Sequence, residues 1–150
     1  MNFENAKEAL NFAIEREKEA VSFYHDLQEK AKFTAHKQML KELEDMENGH
    51  IEILQSILSK GVEDIEEKKV KDLKISDYIV KPGEEKVSSY QDILIIAMKR
   101  EEHSKKLYED IAGGVSDAKL KTVFLRLSSE EAEHKLKFEK LYDEMILKEN

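Results

Sequence analysis

Four stretches of this chain repeat apolar side chains at steps of three and four, the spacing that lines up one face of an α-helix. In the first, roughly Asn5 to Lys32, the inward series is Leu10, Ala13/Ile14, Glu17, Ala20/Val21, Tyr24 and Leu27. The second reads Met39/Leu40, Leu43, Glu47, His50, Leu54 and Ile57/Leu58. Thr34 is its predicted N-cap, and Gly61 supplies its C-terminal stop. The third begins at Ser88 or Ser89, where Ser88 and Gln91 fit a capping box. It continues through Ile93/Leu94, Ala97, Glu101, Ser104, Tyr108 and Ile111 and ends at Gly113-Gly114. The fourth, capped by Ser116 or Asp117, runs Leu120, Val123/Phe124, Leu127, Glu131, His134, Phe138, Leu141 and Met145.

This pattern predicts an all-α fold: a four-helix bundle of two antiparallel hairpins, residues 5–60 and 88–147, within a single domain spanning 1–150. The connection 61–87 is too long for a tight turn and holds the only proline, Pro82. Helices of about 26 residues are roughly 40 Å long, and about a dozen extended residues cover that distance. The link therefore has slack for a crossover. Val70, Leu73, Ile75, Tyr78 and Ile79 give it side chains to pack with, as a short helix or as a strand-like stretch.

The polar residues that interrupt the apolar stripes are the informative ones. Glu17, Glu47 and His50 recur as Glu101, Glu131 and His134, each 84 residues later, and Tyr24 recurs as Tyr108. One Glu on one helix and a Glu-x-x-His on the next, given twice, is the ligand set of a di-iron or di-manganese carboxylate site in a four-helix bundle. In an antiparallel hairpin, residues equidistant from the turn lie level. The midpoint of Glu17 and the Glu47/His50 pair falls at Phe33 or Thr34, the predicted first turn. That of Glu101 and the Glu131/His134 pair falls near Ser116, inside the second. Residues i and i+3 on a helix are about 5–6 Å apart at Cβ, so one ion can take an imidazole and a carboxylate from the same helix. Four carboxylates buried together without a counter-charge would be costly. Two divalent cations cancel them and leave neutral imidazoles. This donor set favours iron or manganese, with zinc as a contaminant.

Composition narrows the chemistry further. The chain has no cysteine, which removes disulfides, iron–sulfur clusters and thiol redox. With 25 Lys and Arg against 33 Asp and Glu, the formal charge is −8, unsuited to nucleic-acid binding. No apolar run is long enough to span a bilayer, and the charged N-terminus has no apolar signal core. The expected location is cytoplasmic, away from membrane and nucleic acid.

Glu is abundant here, so one Glu-x-x-His carries little weight. Of five histidines, however, only His50 and His134 have a Glu three residues before them, and both lie on the apolar face at the repeat. His25, His36 and His103 lie off the stripes or near a turn and are read as solvated. Tyr24 and Tyr108 are core aromatics by default. Two turns from Glu17 and Glu101 on the same faces, they are also candidates to hydrogen-bond a ligand carboxylate.

Nearly the whole chain resembles the rubrerythrin-like branch of the ferritin-like superfamily. The residues that carry the resemblance are Glu17 with Tyr24, Glu47-x-x-His50, Glu101 with Tyr108, and Glu131-x-x-His134. It implies two iron ions per chain. Glu47 and Glu131 would bridge them, Glu17 and Glu101 would be terminal or shifting carboxylates, and His50 and His134 terminal nitrogen ligands. It also implies an oxidoreductase that reacts with hydrogen peroxide or dioxygen, and a homodimer. Rubrerythrin proper carries a rubredoxin domain with four cysteines. Without one, electrons would come from an external rubredoxin-like protein. A further carboxylate expected one turn after Glu101 is replaced by Ser104. Two other functions fit the same residues: an iron-binding, ferroxidase-type handling protein without a true substrate, and a helical interaction module with a vestigial or zinc-filled site.

Overall fold

The computed structural model describes residues 1–80 and 89–149. The chain is all-helical, with no strand among the described residues. The helices are α1 (Ala6–Lys30), α2 (Thr34–Lys60), a short α3 (Glu67–Lys71), a single 3₁₀ turn (Ile75–Tyr78), α4 (Tyr90–Ala112) and α5 (Ala118–Glu149). No helix among these residues is long and apolar enough to cross a membrane.

Local chemistry sets the helix ends. Asn5 caps α1 by accepting a 2.8 Å hydrogen bond from the Glu8 amide. Ser89 does the same for α4 through the Asp92 amide, at 3.1 Å. Asp117 accepts from the Leu120 amide at 2.8 Å, just ahead of α5. Each cap satisfies an amide that the first helical turn leaves without a carbonyl. Thr34 is not a cap: it is the first residue of α2, and Phe33 precedes it without a side-chain hydrogen bond to the helix. Gly61 closes α2 as predicted, with φ at +114°, a conformation that side chains disfavour. The proposed Ser88 cap and Pro82 lie outside the described residues.

The described residues form two compact units. One is the hairpin 4–63, containing α1 and α2. Its helices run antiparallel: Glu17 faces His50, whereas His25 and Gln28, later on α1, face Glu44, earlier on α2. The buried arc of α1 comprises Ala6, Ala9, Leu10, Ala13, Ile14, Glu17, Ala20, Tyr24 and Leu27. That of α2 comprises Leu40, Leu43, Glu44, Glu47, His50, Leu54 and Ile57.

The second unit joins residues 1–3 to 64–150. Here α4 and α5 are also antiparallel, because Lys105 faces Ser128 while Glu102 faces Lys135. Ile93, Leu94, Ala97, Leu107, Tyr108 and Ile111 are buried on α4, and Phe124, Leu127, Phe138 and Leu141 on α5. The described part of the crossover contains the short α3 and the 3₁₀ turn, joined by irregular residues, and it is anchored twice. Its start pairs with the α4–α5 turn: the Glu66 amide donates to the Gly114 carbonyl at 2.7 Å, and the Ser116 amide to the Asp64 carbonyl at 2.8 Å. Its end holds the first residues of the chain. Phe3 donates to the Leu73 carbonyl at 3.3 Å, and its ring stacks on Tyr78 at 6.0 Å. The Tyr78 hydroxyl then donates to Asp110 on α4 at 2.7 Å. The apolar residues noted in the link are what dock it, with Val70 and Tyr78 buried.

Candidate metal centre

Within the first hairpin, the stripe of α1 delivers Glu17 and that of α2 delivers Glu47 and His50. All three are buried, at 1%, 0% and 2% exposure. His50 Nδ1 lies 3.1 Å from Glu17 Oε2 and 3.3 Å from Glu47 Oε1. Within the second unit, α4 delivers Glu101 and α5 delivers Glu131 and His134, again buried. His134 Nδ1 lies 3.6 Å from Glu101 Oε2 and 3.6 Å from Glu131 Oε1. In both triads the same nitrogen, Nδ1, faces the carboxylates.

These triads satisfy a geometric test for ion binding. Ligand atoms bonded to one ion at about 2.1 Å must lie within about 4.2 Å of one another, and neighbours sit near 3 Å. One ligand atom from each residue of a triad lies within 4.8 Å of the others, and the Nδ1–carboxylate separations above fall inside the tighter limit. The donor chemistry agrees. Two carboxylates and a neutral imidazole carry two negative charges, which one divalent ion cancels in a buried place where bare charge is costly. Hard oxygen with imidazole nitrogen suits iron or manganese.

A family model described as Rubrerythrin matches residues 8–142. The chain belongs to the rubrerythrin family. That family lies in the ferritin-like di-iron superfamily, so metal binding, with iron as the family's metal, is implied, and the buried Glu/His clusters of this rubrerythrin-family chain fit such a site. No curated protein and no solved structure matched the chain.

The other residues singled out from sequence fall as follows. Tyr24 and Tyr108 are fully buried on α1 and α4, two turns beyond Glu17 and Glu101. Tyr108 also packs against Phe124, with ring centroids 6.4 Å apart. Ser104 is half-buried. His36 packs edge-on against Phe33 at 5.3 Å. His103 Nδ1 lies 3.0 Å from the Asp77 carbonyl.

His25 is largely exposed, as read, yet it serves a residue the stripes missed. Glu44 is buried at 7% exposure, one turn before Glu47. Its carboxylate takes a hydrogen bond from Gln28 Nε2 at 3.1 Å, lies 3.0 Å from His25 Nδ1 and sits 3.5 Å from Lys41 Nζ. Burial pushes this carboxyl upward. The Gln28 hydrogen bond, the Lys41 charge and the His25 contact outweigh that and hold it below the ordinary carboxylate value. The signal was present, since positions 40, 43, 44, 47 share an arc with the apolar stripe. In a chain this rich in Glu, one more carboxylate on that arc does not stand out.

Proposed function

We propose that the two triads together hold a pair of iron ions and that the chain is a non-haem di-iron oxidoreductase acting on hydrogen peroxide or dioxygen. The observation that carries this is the duplicated buried Glu, Glu-x-x-His set in a rubrerythrin-family chain. On this reading Glu47 and Glu131 would serve both ions, Glu17 and Glu101 one each, and His50 and His134 would bind through Nδ1, the nitrogen that faces the carboxylates within each triad.

Bound there, iron supplies one electron per ion. Two electrons with two protons suffice to convert one hydrogen peroxide to two waters. The chain's own part is to hold these ligands ready. The carboxylates match the charge of the ions, so no net charge is buried in either triad. The apolar side chains around them on the stripes, Ala13, Ile14 and Leu54 in the first hairpin and Ala97, Leu127 and Phe138 in the second, keep bulk water from the ligands. Tyr24 and Tyr108, two turns beyond Glu17 and Glu101, would orient a ligand carboxylate through the hydroxyl. The same reading makes the chain a cytoplasmic homodimer supplied with electrons by a separate rubredoxin-like protein.

Ser104, in place of a further carboxylate, favours a second reading: iron oxidation and handling without donor-driven turnover. Both are tested on protein loaded anaerobically with ferrous iron. Two irons per chain and repeated peroxide consumption with a reduced rubredoxin-like donor are expected. Two irons with a single oxidation event and no donor-dependent turnover would select the handling function. Absence of bound iron would overturn both.

A further inference from the structure

The two triads are copies in their ligands and unlike in what stands one turn behind them. Glu44 lies three residues before Glu47; 84 residues on, the matching position before Glu131 is Ser128. Glu44 is a buried carboxylate held in place by Gln28 and His25. Lys41 approaches it at 3.5 Å but lies closer to Asp45, at 2.9 Å. Glu44, Asp45 and Lys41 together keep one net negative charge. Ser128 is also buried, but neutral, and its hydroxyl donates to the Lys105 carbonyl at 3.2 Å. Lys105 itself pairs with Glu109 at 3.5 Å. None of the partners of Glu44 is repeated: His25, Gln28 and Lys41 correspond to Glu109, Ala112 and Leu125.

A second, independent difference points the same way. In the first triad His50 Nδ1 lies 3.1 and 3.3 Å from its two carboxylates, near the separation that neighbouring ligands of one ion need. In the second, both His134 separations are 3.6 Å. The first triad therefore holds its imidazole nearer to both carboxylates, and it has a carboxylate one turn behind Glu47 where the second has Ser128 one turn behind Glu131. Both properties favour a cation there, one through the field of a nearby charge and one through the smaller rearrangement that binding requires.

We propose that the two ion sites are inequivalent by construction, and that Glu44 makes the Glu17/Glu47/His50 site the tighter one, which fills first and empties last. Glu44 is a positioning residue: it acts through the field at its neighbour and does not bind the ion. This rests on the paired-ion reading above.

The test is calorimetric titration of the metal-free full chain with Mn²⁺ alone, with helicity checked for each variant. The wild type should bind two ions in two resolved steps. Glu44→Gln keeps the shape and the Gln28 and His25 neighbours but removes the charge. It should weaken the first step about tenfold, the scale of one charge acting across a few ångströms of partly screened medium. Ser128→Asp, which places a carboxylate behind the second triad, should strengthen the second step. His134→Ala should keep the tighter step and His50→Ala should lose it, which assigns the steps. Two ions of equal affinity in the wild type, a Glu44→Gln titration that superposes on it, or retention of the tighter step in His50→Ala would each overturn the inference and leave the paired site standing. A wild-type chain that takes up no Mn²⁺ would overturn the paired site itself.

Discussion

A carboxylate shared by two ions and an imidazole that serves one predict different losses. Glu47→Ala and Glu131→Ala should each leave the chain with almost no bound metal. His50→Ala or His134→Ala should leave about one ion per chain, counted by elemental analysis after dialysis. Loss of a single ion in all four variants would contradict the sharing of Glu47 and Glu131. Glu44 gives a separate expectation in pH. Its carboxyl is held below its ordinary value of 4.5 in the folded chain. The ionised form therefore stabilises the fold above the unfolded value, and that contribution is lost as pH falls through the folded one. In metal-free protein, Glu44→Gln should lower the melting temperature near pH 7, and the gap from wild type should close as pH is taken below 4.5. A gap that widens toward acid would reverse the sign. The two buried Glu/His triads were legible from sequence because they repeat and sit on apolar stripes. Glu44 was not, since it has no repeat mate and its hydrogen-bond partners, His25 and Gln28, come from a different helix.

At the scale of elements, period and caps settle nearly everything. The helix ends near Lys30, Lys60 and Ala112 follow from breaks in the apolar stripes and from Gly61 and Gly113. Asp117→Ala removes the bond to the Leu120 amide. It should cost about 1 kcal/mol, a fall of about 2–4 °C in melting temperature for a chain of this size. Thr34 shows where a cap reading from sequence slips. Threonine suits the cap, but the chain turns one residue earlier, and Phe33 takes the place with half its surface exposed. Phe33→Ser should therefore raise the melting temperature by a degree or more. It adds an acceptor for the first-turn amides of α2 and removes little buried area. A fall would show that the Phe33–His36 ring contact outweighs a cap. The crossover was the least legible element. Its helical turns form by docking on the α4–α5 turn and on residues 1–3, contacts far apart in sequence that no local period encodes.

For the whole molecule, the proposed paired site would tie stability to metal. Ions that bind the folded chain and not the unfolded one add stability by mass action, about 2.7 kcal/mol per site when free metal is a hundred times its Kd. Two such sites would raise the melting temperature by roughly 10 °C or more at this chain length. Because each hairpin carries half of the ligands, the gain should reach both, and it should fail in both when either half is damaged. Hydrogen exchange of wild-type protein with and without chelator should show metal-dependent protection of α1 and α2 and also of α4 and α5. Glu131→Ala alters only α5, yet it should abolish the metal-dependent protection of α1 and α2 as well. If the α1–α2 hairpin of Glu131→Ala kept full metal-dependent protection, each hairpin would hold its ion alone, and Glu131 would not be shared.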